Sequence, residues 1–293
     1  MIIKMEMILA SWWKRILIFS GLFVISYLLS DYAFRMLIKS YFLIYYYYDS
    51  SIAIFISLLI SSVLIERFRS QNYYFTFGLT ITRSTLREIL FSFLLVSLPF
   101  AFLSVLLYLL NFNNFTSFEI TRNFIYFTSF IFLYALIEEL IFRGIIFQAL
   151  IDRFGIVFTA VFTSLIFSLF HIYNGNFSTF AFINTFLAGM VLGLMYYQTR
   201  SLYLPIFFHF FWNFLQKFLL NSNISGYSFG YSVSNAGLEK LPIWLFGGNY
   251  GIEGGLAGTI CLITALALTT SYVTASPYIN SKLLKRHIFE NIL

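Results

Sequence analysis

The chain has 293 residues, 60% of them hydrophobic and 10% charged, with a mean hydropathy of +0.84 and a net charge of +6. A soluble domain is about 25% charged, so this composition excludes an ordinary soluble enzyme and indicates a polytopic membrane protein. The cations come without aromatic–basic interleaving or a phosphate-binding loop, which argues against nucleic acid as a partner.

Apolar stretches of about 20 residues predict eight transmembrane helices. They fall at about 13–30, 44–65, 89–110, 123–150, 155–173, 177–198, 202–220 and 251–275. The expected fold is therefore all-α, a polytopic membrane helical bundle in contact with the lipid bilayer. The first stretch follows Lys14 and Arg15, and no small-residue cleavage site follows Leu29-Ser30-Asp31-Tyr32, so it reads as a retained anchor. The run Tyr45 to Tyr48 reads as part of an interfacial belt. With the N-terminus inside, the inside segments hold twelve of the 18 Lys and Arg and the outside loops four. That bias predicts cytoplasmic N- and C-termini. The expected organisation is an N-terminal part, 1–122, with the first helices and a cytoplasmic loop at 66–88. A four-helix core follows over 123–220. The last part, 221–293, holds an outside loop, the final span and a basic tail.

Polar residues inside the spans carry the chemistry. The fourth span contains Glu138, Glu139 and Arg143. A charge at bilayer depth costs about 2.5–3.5 kcal/mol on the lenient insertion scales, and such residues usually serve function. Glu139 and Arg143 are four apart with the acid first, the favoured order for a helical ion pair. Glu138 is rotated by about 100° from Glu139 and has no helical cation partner. Glu139–Arg143 is thus expected to be a scaffold pair, with Glu138 free to act as a general base. The fifth span ends in Phe167-x-x-x-His171. Straight helices would place Glu138 and His171 about 10 Å apart in depth. In the sixth span Gly189-x-x-x-Gly193 is a small-residue pattern for close helix packing. In the seventh, His209 and Asn213 share a face at i, i+4. One carboxylate base, two imidazoles and an amide donor are the parts needed to activate water and stabilise an oxyanion.

The remaining signals are weaker. Asn221 to Tyr250 reads as an outside loop with a short interfacial segment near Trp244. Within it Gly226-Tyr227-Ser228-Phe229-Gly230 lacks the strand–turn–helix context of a serine nucleophile and reads as chance. The one cysteine, Cys261, reads as packing, and His287 as a solvated tail residue. Sequons at Asn114, Asn176 and Asn223 fall in expected outside loops.

The ordered set Glu138-Glu139-x-x-x-Arg143, Phe167-x-x-x-His171 and His209-x-x-x-Asn213 resembles the CAAX protease and bacteriocin-processing (abortive-infection-like) family of intramembrane endopeptidases. Gly189, Gly193, Tyr197, Thr199, Ser201 and Pro205 fit the same arrangement, and the resemblance covers about 123–216. It implies that Glu138 activates water with help from His171. His209 and Asn213 would polarise the scissile carbonyl, Glu139 and Arg143 would hold the geometry, and Phe167 would line the site. The substrate would be a membrane-associated or lipidated protein or peptide. The family has been described both as a metalloendopeptidase and as glutamate-dependent. If metal-dependent, Glu138, His171 and His209 would hold Zn with water in an open position. No His-Glu-x-x-His is present, so a metal-free glutamate mechanism is favoured. Two other classes stay open: a non-catalytic scaffold or immunity factor, and a proton-coupled transporter.

Overall fold

The computed structural model describes residues 11–37, 43–69, 78–79, 81–109, 122–228 and 241–275. The Phe229 and Gly230 positions, Asn114, the basic tail with His287 and residues 70–77 and 80 of the 66–88 loop lie outside the described residues. So do the side chains of Tyr45 to Tyr48.

Helices α1 (Trp12–Leu37), α2 (Leu43–Arg69) and α3 (Thr85–Leu109) come first. Helix α4 (Arg122–Glu139) runs directly into a π-helical segment, Leu140–Phe147, and then into α5 (Gln148–Phe170). Helices α6 (Thr179–Thr199) and α7 (Tyr203–Phe218) follow. After them come a one-turn helix α8 (Ile243–Phe246), the 3-10 turns Gly248–Tyr250 and Ile252–Gly254, and α9 (Leu256–Ala275). The protein is a helical membrane bundle, and the described residues form no strand, only an isolated bridge between Ile224 and Tyr227.

Among the described residues four helical stretches are long and apolar enough to cross a membrane: Trp12–Phe34, Thr85–Leu109, Arg153–Phe170 and Thr179–Thr199. Ser50–Ile65 and Leu256–Ser271 are shorter apolar helices. Helix α7 has 16 residues, about 24 Å at 1.5 Å per residue, less than the ~30 Å hydrocarbon thickness. The fourth predicted span, 123–150, is a composite of α4, the π segment and the start of α5. It ends where Gly155 takes φ 73 and ψ 177, a conformation that breaks the helix inside α5. The short segment expected near Trp244 is α8.

Helix α3 packs along α7, α4 runs antiparallel to α7, and α6 lies between α5 and α9. The largest apolar core, which includes Cys261, joins α3, α6, α7 and α9 around Phe100, Leu192, Phe208 and Leu262. A second core links α4's extension to α5 and α6 through Leu140, Phe147, Ala160 and Tyr196. Outward-facing side chains such as Leu28, Phe102, Leu109 and Val157 are apolar and exposed, as contact with lipid requires. Helix α6 approaches α5 closely because Gly189 has no side chain: a Cβ there would lie 2.8 Å from Ser164 Cβ and 2.9 Å from its Cα. That contact brings the carbonyl of Gly189 to the edge of the site.

Candidate active site

The site begins where α4 stops being α-helical. Glu138 and Glu139 are its last residues, and the next eight hydrogen-bond in the wider π pattern. Such segments are rare and concentrate at functional sites. Arg143 lies within the π segment, buried to 1% exposure. Its Nη1 donates to Glu139 Oε1 at 2.9 Å and its Nη2 to the Gly189 carbonyl at 3.0 Å. The guanidinium also stacks 4.9 Å from the centre of the Phe167 ring. A fully buried arginine is thus held by a carboxylate, a helix carbonyl and an aromatic face, which offsets its desolvation.

The scaffold pair expected from sequence is present and does more than was expected. Glu139 Oε1 is also 3.0 Å from His209 Nδ1. Facing a carboxylate, Nδ1 carries the hydrogen and donates it, which turns Nε2 toward Glu138. His209 Nε2 lies 3.9 Å from Glu138 Oε2. Glu138 itself is 28% exposed, and its buried Oε2 has no hydrogen-bond partner among the described residues. Two neighbouring glutamates on one helix therefore differ: Glu139 engages Arg143 and His209 through Oε1 alone, its Oε2 being buried without a partner among the described residues, while Glu138 is part-exposed and meets only His209 Nε2 at 3.9 Å.

His171 caps the C-terminus of α5. Its Nδ1 is 2.7 Å from the Phe167 carbonyl, one turn back, so it donates there and leaves Nε2 unengaged by that contact. The Phe167 ring sits between the imidazoles, 4.8 Å from His171 and 6.4 Å from His209. Both histidines and Phe167 line a cavity of about 40 Å³. Glu138 meets His209 but does not line that cavity. Asn213 is buried one turn beyond His209 on α7, also off the cavity wall. Its side chain makes no hydrogen bond among the described residues.

The far wall of the cavity was not anticipated. Asn184, Thr185, Trp212, Ser225 and Glu253 line it. The Glu253 carboxylate accepts from Trp212 Nε1 at 3.0 Å, from the Ser225 N–H at 2.9 Å and from Ser225 Oγ at 2.7 Å. Asn184 Nδ2 donates to the carbonyls of Glu253 and Gly255, each at 2.8 Å, and Asn184 Oδ1 accepts from Thr259. Burial, and then the Glu253 charge, push the phenol of nearby Tyr250 up, so it stays neutral. A lone Asn in the sixth apolar span and an acid at the head of the last were the available signals. No helical spacing links them, because they meet only through the fold.

The zinc alternative requires three converging ligands. Among the described residues no three His, Cys, Asp or Glu side chains are placed to hold a metal ion, so Glu138, His171 and His209 do not form a ligand cluster here.

Residues 120–215 match the model of a family described as Type II CAAX prenyl endopeptidase Rce1-like. The matched segment runs from the start of α4 through most of α7 and contains every motif residue considered above. No curated protein and no solved structure gives a significant match. The family is the one that the motifs resemble.

Proposed function

We propose that this chain is an intramembrane endopeptidase that hydrolyses a peptide bond of a membrane-associated, lipidated protein, with Glu138 as the base that activates water. The family match supports a CAAX-type endopeptidase in general. The observation that carries the finer reading is the shared oxygen of Glu139. By engaging both Arg143 and His209 Nδ1, it leaves His209 Nε2 beside the unpaired Oε2 of Glu138.

A water bridging groups at that separation can hydrogen-bond to both. Glu138 takes a proton from it, and the resulting hydroxide adds to the scissile carbonyl carbon. With a proton on Nε2 as well as on Nδ1, the His209 imidazolium and the Asn213 amide stabilise the oxyanion that forms. The proton on Glu138 then passes to the leaving amine as the C–N bond breaks, so one water is consumed and two peptide products leave. His171, across the Phe167 ring, assists the water. Glu139 plays the part of the carboxylate that fixes a catalytic histidine's tautomer. Both termini lie in the cytoplasm in this reading, as the Lys and Arg bias requires; a reporter fused to the C-terminus checks it, and an external signal would reverse the topology.

The test is cleavage of a farnesylated Cys-a-a-X peptide by purified protein in nanodiscs, with and without chelator. Glu138→Gln is nearly isosteric and should lower kcat by about 10²–10⁴-fold, the usual contribution of a general base, while the protein stays folded. Activity lost to chelator and restored by zinc would transfer the role of Glu138 from base to ligand. Full activity in Glu138→Gln would remove it from the chemistry altogether.

A further inference from the structure

The mechanism leaves a buried charge on α7 unused. Lys217 stands in the last turn of α7, 7% exposed. It forms no hydrogen bond or ion pair with any described residue. Unpaired buried ammonium groups are costly, and proteins seldom keep one without a use. Lys217 is not placed at random on α7. His209, Asn213 and Lys217 follow one another at i, i+4 and i+8, a single polar stripe along the helix.

The neighbouring atoms are also short of partners. Gln216 Oε1, beside Lys217 in sequence, is buried with no hydrogen-bond partner among the described residues. The facing turn of α4 carries Phe124, whose ring packs on Phe214 at 6.2 Å and on Phe218 at 4.9 Å, the residues that bracket Lys217. One turn along α4, Thr128 Oγ1 is likewise buried and without a partner among the described residues. Gln216 itself turns to the loop at Asn223, where its amide donates to a carbonyl, so the α4–α7 seam beyond His209 holds a cation and the Thr128 hydroxyl without partners among the described residues.

We infer that Lys217 anchors the free C-terminal carboxylate of the substrate and so sets how many residues lie beyond the scissile bond. This rests on the endopeptidase reading of Glu138 and His209. Eight helical residues separate His209 from Lys217, about 12 Å at 1.5 Å per residue. An extended chain covers about 3.3–3.6 Å per residue, so three residues reach roughly 10–11 Å. Three is the number that follows the modified cysteine in a C-terminal Cys-a-a-X box. With the scissile carbonyl at His209, the terminal carboxylate of such a substrate arrives at Lys217, and Asn213 lies along the intervening peptide. A compact ammonium suits a carboxylate that arrives end-on.

The experiment compares a dansylated, farnesylated Cys-Ala-Ala-Met peptide as the free acid and as the C-terminal amide. Wild-type protein in nanodiscs should cleave the acid about 10- to 100-fold more efficiently, mainly through KM, the worth of one hydrogen bond to a charged group. Lys217→Met should bring the acid down to the amide's level, and Lys217→Arg should restore most of the difference. Equal cleavage of acid and amide by wild type, or discrimination that survives Lys217→Met, overturns the assignment. The same peptides are also titrated onto Glu138→Gln protein, with and without Lys217→Met, so that binding is read without turnover. Acid-selective binding that vanishes with Lys217→Met supports the anchor even where wild type cleaves neither peptide, an outcome that would sink only the hydrolytic reading. Binding indifferent to the terminal charge overturns the anchor whatever the cleavage result.

Discussion

Two walls of one cavity are each held by a carboxylate, by different means. Behind the inner wall, which His209 lines, Glu139 is fully buried and meets a full cation, Arg143, together with His209. On the outer wall Glu253 is half-buried and meets only neutral donors: an indole, a hydroxyl and a backbone N–H. The inner carboxylate sits on a helix whose own spacing supplies the cation. The outer one sits on a 3-10 turn and takes its donors from α7 and a loop. The inner arrangement couples fold to chemistry, because one oxygen serves the scaffold and the histidine alike. The outer arrangement fastens the Ser225 loop and α7 to the turn before α9.

That contrast is broken most severely by Glu139→Gln. An amide at this position leaves Arg143 as an uncompensated buried charge, a loss of about 3–5 kcal/mol. It also no longer fixes His209 with hydrogen on Nδ1. The corresponding carboxylate-to-amide change in a catalytic triad lowers kcat about 10⁴-fold. We expect both effects together, measured by thermal melting in detergent and by peptide cleavage. A stable variant with no activity would separate the two roles of the shared oxygen. An active, unstable one would show that His209 does not depend on it.

A smaller change sharpens the inner wall alone. Gly189→Ala places a Cβ 2.8–2.9 Å from the Cβ, Cα and Oγ of Ser164. Helix α6 must then move away from α5 and carry with it the carbonyl that Arg143 donates to. Overpacking of this kind costs about 1–3 kcal/mol. Gly189→Ala should therefore lower the melting temperature and also reduce kcat, whereas the double variant with Ser164→Gly, which removes the Cβ and Oγ contacts but not the one to Cα, should recover part of both. Recovery of stability without kcat would mean that the carbonyl contact to Arg143 does not matter to the reaction.

The two walls also differ in how far the sequence revealed them. Glu138, Glu139, Arg143, His209 and Asn213 are readable because helical periodicity alone tells which are neighbours along α4 or α7. The apolar stretches overlap helices because length and hydropathy mark them, and Gly155, where the helix breaks, is the first residue of the fifth. The π segment was not readable: nothing in Leu140 to Phe147 marks a wider turn. The link from Glu139 to His209 spans 70 residues and two helices, and that from Asn184 to Glu253 spans 69. Neither leaves a periodic trace. Glu138 and His171 do not share the cavity wall; His209 lines it beside His171 and meets Glu138.

The gentlest perturbation is Glu253→Gln. The amide keeps the size of the side chain and one acceptor oxygen, so at most one of the hydrogen bonds from Ser225 and Trp212 must be given up. A hydrogen bond to a charged group contributes about 1.5–3 kcal/mol and a neutral one about 0.5–1.5, so the difference per bond is of the order of 1 kcal/mol. Because Glu253 contacts neither Glu138 nor His209 directly, kcat should change little, while the Ser225 turn loosens from α7. Hydrogen exchange of the Ser225 amide, which donates to Glu253 Oε2 at 2.9 Å, should quicken about five- to tenfold if that ~1 kcal/mol is lost from local opening. A fall in kcat as large as that of Glu138→Gln would instead place Glu253 among the reacting groups and make the outer wall a second catalytic wall.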